Sequence, residues 1–289
     1  MRVAGAERKV DRRHLSYLHG LMLAGGLASG AMTRAATGSN DDLSYLLPLF
    51  DALAPWVGAN GPAQLPSVQP GSSIAADDAP LGSWRVSILA NSAFSAGVMH
   101  VHALAKLIMM AKVVDPYSPW TLLRGALEDF STSAWLLGGS RDERRQRALS
   151  LWHEDFRNRE QYEQDTGKRP TGPNAKTGAQ RCEQVKRLAD SLGLRLQKPV
   201  AGDIISAAAG YANLDPRLTR ASWRVASGFA HGRYWPNLNA TEPRGVAPMR
   251  DGYMVALVLD DAKFEPLAAA CKTIFEYASA RYRARSMAV

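Results

Sequence analysis

The chain has 289 residues, with 35 Lys and Arg against 27 Asp and Glu and a formal charge of +8; this length fits one large domain or two small ones. At 46% hydrophobic and 21% charged residues it lies near the globular average, which excludes wholesale disorder. Its only cysteines, Cys182 and Cys271, cannot build a disulfide framework or a four-cysteine zinc site.

Arg12-Arg13 ahead of a Gly-rich apolar run has the outline of an export signal. Asp11, His14 and Leu15 fit that motif loosely, and His19 interrupts the run. An amphipathic helix over 11–36, with Leu15, Leu18, Met22 and Leu23 on one side, is the better reading. It implies a cytoplasmic protein, which suits cysteines with no evident partner. The apolar run Leu21–Met32 is too short to span a bilayer, so no membrane attachment is expected. A short helix follows over 41–57, with Leu43, Leu46, Leu47 and Phe50 on its apolar side. Residues 58–83 collect Gly, Pro, Ser and Ala and read as a linker.

From Trp84 to Ala111 the apolar residues Phe94, Val98, Val101, Ala105 and Ile108 recur at helical steps. After a turn at Asp115-Pro116-Tyr117, Ser118-Pro119 predicts a helix start with Ser as cap and Pro at the first position. Trp120, Leu123, Leu127, Phe130, Ala134 and Leu137 then carry the strongest periodic stripe in the chain, up to Gly138-Gly139. Ser140 and Glu143 form a capping-box pattern that opens a charged surface helix over about 141–165. Shorter helices are expected over 179–192 and 201–212. Asp215-Pro216 starts another that runs to His231, with Gly232 able to follow its end. Residues 233–252 read as irregular, and Tyr253–Leu259 as an apolar run with no partner strand. A last helix from Asp261 to about Arg285 has Leu267, Cys271, Ile274, Ala278 and Tyr282 as its stripe. The sum is an all-α protein: an up-and-down helical bundle over 84–289, a linker over 58–83 and an N-terminal helical extension over 1–57.

The chemistry-bearing residues concentrate in Ser222-Trp-Arg-Val-Ala-Ser-Gly-Phe-Ala-His-Gly232. Arg224 and His231, seven apart, share one helical face with Ser227 between them. Ala221 and Gly228 on this side are expected to leave the backbone open to a ligand or a second helix. His231 falls at the helix C-terminus, where the dipole favours imidazolium. An Arg with a titratable His suits metal-free RNA cleavage: the His moves a proton at the ribose 2′-OH or the leaving oxygen, and the Arg neutralises the phosphate. A capping His and an ion-paired Arg are the plain structural alternative. Arg124 and Glu128 form an i, i+4 pair, either orienting Arg224 or His231 or fixing the bundle. Arginine supplies 26 of the 35 basic residues, a preference that suits phosphate and also a GC-rich coding sequence.

Other signals carry less. His100-Val-His102 points two ways on a helix and cannot bind one metal, and Trp152-His-Glu-Asp155 reads as a solvated face. No phosphate loop or nucleophile elbow is present, and no metal or organic cofactor is expected. Cys182 has Arg181 and Lys186 as basic neighbours, while Cys271 falls on an apolar stripe.

The late-helix Arg-x6-His element resembles the HEPN superfamily, in its uncharacterised bacterial branches. Leu-Leu-Arg124-Gly-Ala-Leu-Glu128-Asp and Ser227-Gly-Phe-Ala-His231-Gly add to the likeness, which covers roughly 84–285. The resemblance implies a catalytic pair, Arg224 and His231, often completed across a homodimer. It also implies a metal-independent endoribonuclease of toxin–antitoxin or phage-defence type, acting on RNA and sometimes held by an antitoxin protein. Other members are non-catalytic homodimeric interaction modules. Active members usually carry a polar residue directly after the Arg; here it is Val225.

Overall fold

The computed structural model describes residues 43–58, 61–62, 65–111, 115–238, 240–249 and 252–288. The helix and export-signal outline read over 11–36 lie outside these residues. In chain order the helices are α1 (Leu47–Leu53), α2 (Ser73–Asp78), α3 (Val86–Ala105), α4 (Ser118–Leu137), α5 (Arg141–Thr166), α6 (Gly178–Ser191), α7 (Ala201–Tyr211), α8 (Pro216–Ala230) and α9 (Asp261–Ser286). Two antiparallel pairs accompany them: β1 (Val57–Gly58) with β2 (Gly61–Pro62), and β3 (Thr241–Met249) with β4 (Gly252–Leu259). The protein is a helical bundle with one substantial hairpin.

Local chemistry explains most helix ends. The Ser140–Glu143 capping box opens α5, and a second box, Thr177–Gln180, opens α6. The Asp215 carboxylate accepts the N–H groups of Arg217 and Leu218 at the start of α8. The expected cap at Ser118 is corrected. Asp115 accepts the N–H groups of Tyr117 and Ser118 at 2.8 and 2.7 Å, so the carboxylate in the preceding turn does the work assigned to the Ser hydroxyl. Helix α3 continues as a π-helical turn, Lys106–Met110. By length and mean hydropathy (1.4) Val86–Met110 could cross a membrane. In this fold its Phe94, Val98 and Val101 lie in the protein's own core.

Helix α4 sits at the centre, packed by α3, α9, α7 and α8. Its stripe of Trp120, Leu123, Leu127, Phe130, Ala134 and Leu137 is fully buried. Phe94, Phe130 and Phe275 meet at ring-centre distances of 5.3 to 5.9 Å, and Trp56 closes on Phe94 at 4.9 Å. A Cβ at Gly97 would fall 2.6 Å from the Phe130 ring, so α3 and α4 approach closely only because that residue is Gly. The α9 stripe of Leu267, Cys271, Ile274, Ala278 and Tyr282 is buried as expected. Burial pushes the Cys271 thiol well up, as suits a core residue.

Two expectations need correction. Residues 58–83 are more than a linker: α2 packs on the bundle, with Ile74 and Leu81 buried in the same core as α1. Its anchor is Asp77, which is fully buried. Arg144 grips Asp77 with two hydrogen bonds of 2.6 and 2.8 Å, and Arg141 lies 3.2 Å away. Arg145 caps the Ala76 and Asp77 carbonyls. The basic residues at the start of α5 therefore hold α2, where a solvated face was expected. The second correction is the strand at Tyr253–Leu259, which does have a partner: β3 runs beside it, with Thr241 opposite Leu259 and a bulge at Arg244/Val246. With Pro243 and Pro248, β3 shows no strand pattern. A two-stranded ribbon tolerates them because each strand has a free edge.

Removal of the buried carboxylate strands Arg144 without its counter-charge. Asp77→Ala is expected to lower the unfolding free energy by about 3–5 kcal/mol, read by urea titration at neutral pH. A loss below about 1 kcal/mol would show that α2 is not anchored by this pair.

Candidate functional site

Helix α8 carries the residues singled out by sequence. It runs antiparallel to α4: Trp223 reaches Glu128, and Phe229 stacks on Trp120 at 5.1 Å. Thr219, Ala226 and Phe229 are buried against the bundle. Arg224 and His231 are exposed on the opposite side, and Ser227 between them is half-buried. Neither Arg224 nor His231 makes a side-chain hydrogen bond or ion pair with the described residues. The expected shared face is thus present, and both groups are available to solvent.

The helix end is built as the Gly predicts. His231 is the C-terminal cap and Gly232 takes φ +60°. The Gly232 N–H bonds the Phe229 carbonyl at 3.0 Å, and the Arg233 N–H bonds the Gly228 carbonyl at 2.8 Å. This pair of bonds turns the chain back along α8. As a result Trp235 and Pro236 lie over Gly228, where a Cβ would fall 2.4 Å from Pro236 Cγ. Gly228 therefore receives its own chain, which corrects the expectation that it leaves backbone open. Ala221 remains exposed.

Arg124 and Glu128 do pair, Nε to Oε1 at 2.9 Å, although Nε is not aligned for a hydrogen bond. Glu128 does not reach Arg224 or His231. Its carboxylate accepts the Trp223 indole N–H at 2.6 Å. Trp223 also lies against Gly202 of α7, so Glu128 fixes the seat of α8 one residue before Arg224. Glu128 is a positioning group for α8, and among the described residues its polar partners are Trp223 and Arg124.

The structure adds two residues: His100, discounted from sequence as a metal ligand, and Asp129. The His100 ring lies over Gly125, where a Cβ would meet it at 2.8 Å, and its Nε2 is 3.5 Å from Asp129 Oδ2. Burial pushes the Asp129 carboxyl up to about 7, with the neighbouring Glu128 charge adding to the effect. Burial also lowers His100, against the pull of Glu128. Burial thus works against the charged form of both partners, so the fold does not favour an ion pair at this contact. His100, Gly125, Arg124, Glu128, Asp129 and Trp223 make a polar strip across α3, α4 and α8. An acid beside an acid at 128–129 was the available sequence signal; the His on another helix was not.

The remaining candidates stay outside this strip. Among the described residues no cluster of three metal-ligating groups exists. Cys182 lies near Glu160, and burial raises its thiol, so Arg181 and Lys186 do not activate it. A cavity of about 580 Å³ lies elsewhere, lined by Asp78, Arg85 and Ser87. No protein-family model, curated protein or solved structure matches the chain.

A carboxyl raised from 3.8 to about 7 by the fold favours the folded state fully only while it is protonated in both states. Its contribution is present below about pH 4 and is lost as pH rises through 7. Asp129→Asn is therefore expected to be more stable than the native protein at pH 8, with the gap closing towards pH 4. Thermal midpoints across that range test it; an equal gap at both ends would show that Asp129 ionises normally.

Proposed function

We propose that this protein is a HEPN-like, metal-independent endoribonuclease whose catalytic pair is Arg224 and His231. The observation that carries the reading is the placement of these two side chains: same face of α8, exposed, and engaged by no other described residue. In an ordinary structural helix an Arg and a His would be spent on a carboxylate and on the terminal carbonyls. Here the local carboxylates are spent elsewhere, Glu128 on Trp223 and Arg124, Asp129 beside His100.

In the proposed reaction His231 takes the proton of a ribose 2′-OH. The 2′ oxygen forms a bond to phosphorus, and the bond from phosphorus to the 5′ oxygen breaks. A proton returns to the 5′ oxygen from the second copy of the site in a homodimer or from water. Arg224 neutralises the charge that builds on the phosphate. The products are a 2′,3′-cyclic phosphate and a 5′-hydroxyl, and no redox partner or metal is consumed. Such an activity fits a toxin or phage-defence role, with an antitoxin protein as a natural restraint.

One observation favours a second reading. Val225, where a polar residue would assist Arg224, packs against the core. A non-catalytic homodimeric module that uses the same face for assembly would have no need of that residue.

Purified protein, His231→Ala and Arg224→Ala are to be incubated with total RNA in EDTA. Native protein is expected to cleave, each variant to lose about 100-fold or more, and the thermal midpoints to agree because both residues are exposed. Equal cleavage by His231→Ala would overturn the catalytic assignment. No cleavage by native protein, together with a particle of twice 31.4 kDa in light scattering, would establish the assembly reading.

A further inference from the structure

The solvent face of α8 holds more than the Arg/His pair. Arg217, Arg220, Arg224 and His231 follow one another at steps of three, four and seven residues. At 3.6 residues per turn they fall within about 60° of one another, in a line about 20 Å long. Arg217, Arg224 and His231 are exposed, and the Arg220 side chain is 37% exposed. From Pro216 to Thr241 the sequence contains no Asp or Glu. Asp215 caps the head of the line, and Asp203 of α7 stands 3.9 Å from Arg220 and is itself 76% exposed, a contact too loose to neutralise it. The arginines at the start of α5 are by contrast consumed internally: Arg144 and Arg145 hold α2, and Arg147 caps Trp135 and Gly138 and meets the Tyr211 hydroxyl. The α8 line keeps most of its positive charge free among the described residues.

Aromatic surface borders this face between Arg224 and His231 and beyond it. The turn at Gly232 folds the chain back so that Trp235 and Pro236 border α8 at Gly228. Tyr234 is 74% exposed and Arg233 is also exposed. A line of cations followed, three residues beyond His231, by an exposed aromatic ring has the chemistry of a single-strand track. Phosphates follow the charges, and an unpaired base stacks on the ring. A duplex offers phosphates but keeps its bases out of reach of Tyr234. An acidic peptide offers charge without a flat base.

We infer that Arg217, Arg220 and Tyr234 form a positioning track for single-stranded RNA, which runs along α8 and delivers an unpaired nucleotide beside His231. This rests on the reading of α8 as an RNA-cleaving helix and adds the residues that hold the strand. The track binds the sugar–phosphate backbone before cleavage and takes no part in proton transfer.

The test uses full-length protein and a fluorescent single-stranded 12-mer with 2′-O-methyl riboses, which cannot be cleaved. Binding is followed by anisotropy at several salt concentrations. Three phosphate contacts give a slope of log K against log salt of about −2. The double variant Arg217→Ala/Arg220→Ala is expected to reduce it to about −0.7. Tyr234→Ala is expected to weaken binding about tenfold and leave the slope unchanged. Arg187→Ala, an exposed arginine on α6, serves as the control and leaves both unchanged. An unchanged slope in the double variant, or duplex or poly-glutamate bound as tightly as the single strand, would overturn the track. Thermal midpoints confirm that each variant is folded. The expected slopes with no cleavage of natural RNA would support the track and overturn the nuclease reading alone. Cleavage that survives the double variant with unchanged binding would overturn the track alone.

Discussion

Burial of α4 is the constraint on which the rest of this structure depends. Four helices pack around it, so its polar residues cannot all reach water. Ser131 and Ser133 are fully buried, and Glu128 and Asp129 lie at the edge of the packed region. Each acid needs a local answer, because an unanswered charge near a low-dielectric core is costly. Glu128 is answered by Arg124 and by an indole N–H. Asp129 is answered by His100 and by a raised affinity for its proton. The polar strip across α3, α4 and α8 is the outcome, and it fixes how α8 is seated.

The seat of α8 in turn decides which of its residues face water. With Trp223, Ala226 and Phe229 turned to the bundle, Arg217, Arg224 and His231 have to point outward. The Schellman-type turn at Gly232 then returns Trp235 and Pro236 to the helix flank. Charge and aromatic surface are brought together by one helix and its terminating turn. An open face of this kind suits an extended polymer better than a small molecule, which would be left largely in water.

Arginine has two different uses in this fold. At the start of α5 it satisfies buried or backbone acceptors: Arg144 on Asp77, Arg145 on two carbonyls, Arg147 on the end of α4. Such residues are structural despite their charge, and they turn a Gly/Pro-rich stretch into part of the core. On α8 the one carboxylate contact is the loose one between Arg220 and the exposed Asp203, and the Arg217 and Arg224 side chains have none among the described residues. Composition alone cannot separate the two uses, because an Arg bound to a buried Asp and an Arg waiting for a phosphate count the same.

Local sequence wrote most of the helices and their ends, although α2, in the stretch read as a linker, was not among them. Capping at Ser140 and Asp215, the turn at Gly232 and the stripes of α4 and α9 rest on residues within about four positions of one another, so they are written locally. The common face of Arg224, Ser227 and His231 was legible for the same reason, since helix period alone places them. Tertiary structure decided the rest. Asp77 and Arg144 stand 67 positions apart, and Glu128 and Trp223 stand 95 apart. The β3–β4 pair was hidden by prolines that a lone ribbon tolerates. Whether Gly228 was open or covered, and whether His100 met an acid, depended on chain that returns from elsewhere. Helix period orders a residue around its own axis, but only packing tells which side of that axis is solvent.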